Sequence, residues 1–179
     1  MTPLDLVDSL KAYLEGETRN LFLPVRVDRR SGKKNERPPE VFTMRLPDKD
    51  AETKRIPYLL VQYIKSKFSQ EEGKPPEHSC MVRIVAATYS ENGEEGARCV
   101  LNLLTRVLIA FIRDGMIADR YILKSAVEMI VYPDSTPPYY LGEMITEWTM
   151  PPLYTLSPLD GTELAGHNPI TESEVMDKW

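Results

Sequence analysis

Apolar residues recur near the N-terminus at Leu4, Val7, Leu10 and Leu14, a spacing that places them on one face of a short helix. Thr2 suits the N-cap of that helix, Pro3 its first position, and Gly16 its stop. Residues 22–27 read as a short strand, and Pro24, which lacks a ladder donor, puts that strand at an edge. Residues 41–46 read as another strand. Between and after them lie two charged stretches, 28–40 and 47–55, the first carrying Gly32 and Pro38-Pro39. Long stretches of this kind inside a compact domain are uncommon and often functional, so both are candidate contact arms.

From Pro57 the pattern becomes regular. Residues 58–64 and 80–89 are apolar on both faces, as central strands covered on each side are. A polar connection with Gly73 and Pro75-Pro76 separates them. The strongest helix follows, with Asn92 as its N-cap and Glu95 at capping-box spacing. Its predicted core stripe is Ala97, Val100, Leu101, Leu104, Val107, Leu108, Phe111 and Ile112, closed by Arg113 and Gly115. Residues 126–132 and 139–150 read as two strands joined by a Pro-rich turn, hence an antiparallel hairpin, with Met144 and Trp148 on one face.

The element order α, β, β, β, β, α, β, β predicts an α+β fold. A largely antiparallel or mixed β-sheet packs against two α-helices, with long charged loops and a C-terminal arm. Residues 1–155 are expected to form the domain and 156–179, rich in Pro, Gly, Ser and acids, an extended acidic arm.

Composition changes this picture little, and charge changes it more. The chain of 179 residues is 42% hydrophobic and 27% charged, ordinary for a soluble domain. No apolar run nears the roughly 20 residues of a membrane span, and the first residues lack the layout of a secretory signal. Cys80 and Cys99 have no metal or disulfide spacing and are expected to be reduced core thiols. A net charge of −5 argues against tight binding to nucleic acid or an anionic membrane. The charge is uneven, however. Arg26, Arg29, Arg30, Lys33, Lys34 and Arg37 crowd one stretch that holds only Asp28 and Glu36 as acids. Glu143, Glu147, Asp160, Glu163, Glu172, Glu174 and Asp177 face a single base, Lys178, at the other end. Such blocks can pair between copies of a self-assembling protein; the plain alternative is two solvated loops.

No motif for chemistry stands out. Gly73-Lys74 is not a phosphate loop, and Gly93 and Gly96 begin a helix with carboxylates between them. His78 lies two residues from Cys80, a spacing that shares a strand face, yet Cys80 reads as an inert buried thiol. His78 and His167 are too few and too far apart for a metal site. No catalytic, cofactor-binding or metal-binding residue is assigned, and the chain is not expected to be an enzyme.

Several segments together carry a resemblance. They are Pro57-Tyr58-Leu59-Leu60-Val61, the run from Met81 to Ser90, Glu95-Gly96, and Val100 to Val107. Val127-Glu128-Met129 and the stretch Tyr139-Tyr140-Leu141-Gly142-Glu143-Met144-Ile145-Thr146-Glu147-Trp148 complete the set. In this layout the chain resembles the tail terminator, or tail-completion, proteins of long-tailed phages and prophages. The likeness covers roughly residues 1–153 and is clearest over 56–150.

The resemblance implies a structural virion protein of the tail and neck, present in the host cytoplasm during assembly. Such a protein forms a homohexameric ring on the head-proximal end of the tail tube, stops tube polymerisation and offers a docking surface to the head. Its implied partners are further copies of itself, the tube protein, the head-completion or connector protein and, in a contractile tail, the sheath; no cofactor is implied. Candidate assembly contacts, from charge placement, are Arg29, Arg30, Lys33, Lys34 and Arg37 on the basic side and Glu172, Glu174 and Asp177 on the acidic side. The competing readings are another neck component (head-closure or adaptor protein) and a small ligand-binding domain or enzyme using the sheet face near Trp148.

Overall fold

The computed structural model describes residues 2–26, 36–47, 55–133 and 137–151. The first helix, α1, spans Pro3–Thr18. The Thr2 hydroxyl accepts from the Asp5 amide at 3.3 Å and the Asp5 carboxylate accepts from the Thr2 amide at 2.6 Å, so the two cap each other. The buried face is Leu6, Val7, Leu10 and Leu14; Leu4, expected inside, is exposed. Nor does Gly16 end the helix. A glycine costs a helix only about 1 kcal/mol relative to alanine, and burial of Leu14 and Thr18 carries the last turn past it.

Two short strands, β1 (Leu23–Pro24) and β2 (Glu36–Arg37), pair antiparallel as a separate ribbon. The main sheet contains β3 (Glu40–Thr43), β4 (Tyr58–Ser69), β5 (Glu77–Tyr89), β6 (Met116–Ile117), β7 (Tyr121–Val131) and β8 (Tyr139–Thr149). Its order is β3-β4-β5-β8-β7-β6. Only β3 and β4 run parallel; every other pairing is antiparallel. The fold is therefore α+β with a mixed sheet, as the pattern predicts. The β7–β8 hairpin forms as expected, but β7 begins at Tyr121, and its register shifts between Leu123 and Val127. Polar Lys124 and Ser125 sit in that irregularity, which is why the strand reads as shorter in sequence.

The second helix, α2, spans Gly93–Asp114. Asn92 caps it, its side chain accepting from the Glu94 amide at 3.1 Å and not from Glu95. Gly115 closes it in the left-handed region at φ 64°, as a helix-ending glycine does. Both helices cover one face of the sheet. There Leu59, Val61, Val82, Ile84, Met144 and Trp148 form a single core with Leu6, Leu10, Val100, Leu104 and Phe111. Trp148 is fully buried and meets the edge of Phe111 at 5.2 Å between ring centres. Its indole N–H donates to the Thr146 hydroxyl at 2.9 Å, which lies 3.3 Å from the Val82 carbonyl. The opposite sheet face carries a smaller cluster of Ile56, Tyr58, Leu60, Ala87 and Tyr89 beside β3. Toward β7 that face opens to solvent.

Two glycines bring α2 down onto β8. A Cβ on Gly96 would lie 2.1 Å from the Tyr140 ring, so the ring fills the space a side chain would need. A Cβ on Gly142 would lie 3.0 Å from both the Ile130 carbonyl oxygen and Leu104 Cδ1. Alternate residues of this strand, Tyr140, Gly142, Met144 and Trp148, are thus packing surface for the helix layer.

Candidate assembly surfaces

Of the candidate assembly contacts, Arg37 alone lies among the described residues; Arg29, Arg30, Lys33, Lys34, Glu172, Glu174 and Asp177 fall outside them. Arg37 sits on β2 and donates to Glu40 at 2.7 Å and to the Arg55 carbonyl at 2.5 Å. Arg55 in turn donates to the other oxygen of Glu40 at 3.2 Å. One carboxylate thereby ties together the described C-terminal ends of both charged stretches, 28–40 and 47–55. Close by, Arg26 donates to the Tyr139 hydroxyl at 3.3 Å, and Tyr139 packs against Tyr89 at 5.9 Å. The Arg37 guanidinium is thus committed to partners within the chain. A shallow hollow of about 460 Å³ lies alongside, between α1 and β3, floored by Pro38, Pro39 and Val41 and rimmed by Lys11, Glu15 and Arg19.

The open sheet face pairs its charges too. Arg83 donates to Glu143 across β5 and β8, with the Tyr132 hydroxyl 3.4 Å from the guanidinium. Lys124 reaches Glu147 at 2.9 Å, and hydrogen bonds from Ser79 and Lys124 hold the Glu147 carboxyl below its usual range. Beside these pairs Ile122, Ile130, Tyr132 and Leu141 stand exposed.

The helix layer shows a second apolar surface, where the core stripe expected of α2 is wrong at its margin. Leu101 is 45% exposed and Ile112 65% exposed, and Ala97 is also outside. Leu103 and Ala110 are buried in their stead, and Ile109 is 59% exposed. The apolar arc of α2 is wider than the sheet beneath it can cover. An arc running from Ala110 through Leu104 round to Ile109 exceeds the roughly 100° of a one-sided helix, and that excess was the available sequence signal.

His78 and Cys80 do not make a nucleophilic pair. The His78 ring packs against Phe68 at 6.2 Å. Burial pushes the Cys80 thiol up, against a lesser pull from Ser66, the opposite of what an attacking thiolate requires. Among the described residues, no three His, Cys, Asp or Glu side chains converge as a metal site would need, and no helix is long and apolar enough to cross a membrane.

The helices are locked to each other by a polar cluster at their C-terminal ends. The Tyr13 hydroxyl donates to Asp114 at 2.5 Å, and Arg113 reaches both Asp114 at 2.7 Å and Glu17 at 3.0 Å. Hydrogen bonds from Arg113 and then Tyr13 hold the Asp114 carboxyl well below the usual range.

Set against protein-family models and curated proteins, the chain matches no family and no curated protein.

Proposed function

We propose that this protein is a phage tail terminator, a structural subunit that assembles as a ring on the head-proximal end of the tail tube, stops its growth and receives the head. The observation that carries the reading is the pair of exposed apolar surfaces on opposite layers of one subunit. Leu101, Ile109 and Ile112 face outward from α2, and Ile122 and Ile130 face outward from the open side of the sheet. Exposed patches on two layers of one chain, in place of one self-complementary patch, suit subunits arranged head to tail, which make a ring when the rotation closes. The segments that resemble tail terminators supply the frame between those patches. Tyr140 and Gly142 seat the helix, and Glu143, Thr146 and Trp148 are engaged within the subunit.

The test is electron microscopy of lysates from the phage that encodes the chain, with an early stop codon in its gene. Filled heads beside headless tails of excessive, variable length are expected; ordinary complete particles would overturn the reading. Changing Arg29, Arg30, Lys33 and Lys34 together to Glu is expected to abolish capping. Normal capping by that variant removes the basic stretch from the interface.

A further inference from the structure

The place where the described chain ends and the arrangement of charge both bear on the outward face of α2. The chain leaves the described fold at Pro151, just past β8. Thr149 pairs with Ile122, and Ile122 pairs with Met116, the residue after the Gly115 cap. These three residues form one row across the sheet, so the described chain ends, at Pro151, near the C-terminal end of α2. Fully extended, residues 152–179 reach up to roughly 90–100 Å, whereas a helix of 22 residues is about 33 Å long.

Composition is complementary. Residues 152–179 contain Leu153, Tyr154, Leu156 and Leu159 closest to the exit, then five acids against one base. The α2 surface offers Leu101, Ile109 and Ile112 between Arg98, Arg106 and Arg113, with no acid from Arg98 to Arg113. Arg98 is tied to Glu94 and Arg113 to Asp114 and Glu17, while Arg106 makes no ion pair among the described residues. An apolar strip edged by arginines matches an apolar segment followed by carboxylates.

We propose that the outward face of α2 is the seat for residues 152–179 of a second copy of this chain, linking subunits head to tail. The contact deepens the ring reading and rests on it for the choice of a second copy. The acidic segment then meets α2, not the basic stretch 28–37.

The experiment uses the full chain, with a photo-crosslinking amino acid in place of Ile109, as an equal mixture of isotopically heavy and light protein. Mass spectrometry of the crosslinked peptides reads both the partner segment and the copy it came from. Mixed-isotope pairs joining α2 to residues 152–179 are expected. Pairs to any other segment, pairs within one isotope only, or no crosslink overturn the proposal. R106E combined with I112E, both at exposed positions, is expected to lower the mixed pairs at least tenfold with unchanged circular dichroism; an unchanged yield also overturns it. The stop-codon microscopy reads the other question separately. Capped tails without these crosslinks leave the terminator reading standing and remove the α2 contact. Crosslinks in a phage whose tails never needed the protein do the reverse.

Discussion

Tyr140 on β8 occupies the volume where Gly96 on α2 would carry a side chain, with a ring atom 2.1 Å from the position of a Cβ. Alanine is the better helix former by about 1 kcal/mol, yet the clash falls on ring carbons with Val100 and the sheet around them. Gly96→Ala is therefore expected to lower stability by about 1–3 kcal/mol, the usual range for overpacking. Chemical denaturation checks it. In a double-mutant cycle, Tyr140→Ala should absorb most of the penalty, so the two changes together cost clearly less than their sum.

Gly142 behaves differently because one of its neighbours is backbone. The Ile130 carbonyl oxygen, 3.0 Å from a would-be Cβ, cannot turn away as a side chain does. Gly142→Ala should destabilise by about 1–3 kcal/mol, and shortening Leu104 should recover only part of that. Full recovery in Leu104→Ala would place the strain in the side chain alone.

The Trp148 indole depends on Thr146 for its hydrogen bond. Valine keeps the shape of threonine and removes the acceptor, so Thr146→Val leaves a buried N–H unmet at a cost of about 1–3 kcal/mol. Thr146→Ser, which keeps the hydroxyl, should retain the bond and lose only a methyl. Equal losses in the two variants would mean that the methyl, not the bond, is what matters.

Asp114 makes the junction of the helices pH-dependent. Its folded carboxyl titrates below the ordinary carboxylate range, so its contribution is fully present above the unfolded value of about 4 and is lost as pH falls through the lower folded value. Asp114→Asn should be less stable than the parent at pH 7, and the gap should narrow as the pH drops below about 4. Thermal melts across that range read the convergence, and a constant gap would assign the loss to packing.

Much of this architecture can be read where the signals are local. Thr2 and Pro3 mark the start of α1, Asn92 and Gly115 bracket α2, and the Pro-rich turn before Tyr139 marks the hairpin. Each is a matter of a few neighbouring residues. What escapes depends on distant partners. Strand β6 exists only because Met116 and Ile117 meet Ile122 and Tyr121, and the parallel pairing of β3 depends on Tyr58–Val61. The inward face of α2 is decided by the sheet below, so Leu101 and Ile112 cannot be told from Leu103 and Ala110 by periodicity. For the candidate surfaces, charge locates the basic stretch but not the fate of its members. Arg37 turns to Glu40, three residues away, and is consumed there.

Strand β5 lies at the centre of the sheet with antiparallel neighbours along both sides, while β3 and β6, at the two edges, are four and two residues long. Opening free energies should therefore be graded across the molecule. Amides of Met116 and Glu40 exchange with solvent through local fraying, and those of Val82 and Ile84 exchange only when the whole domain opens. A fold graded in this way can loosen at its rims while its middle ladder stays shut.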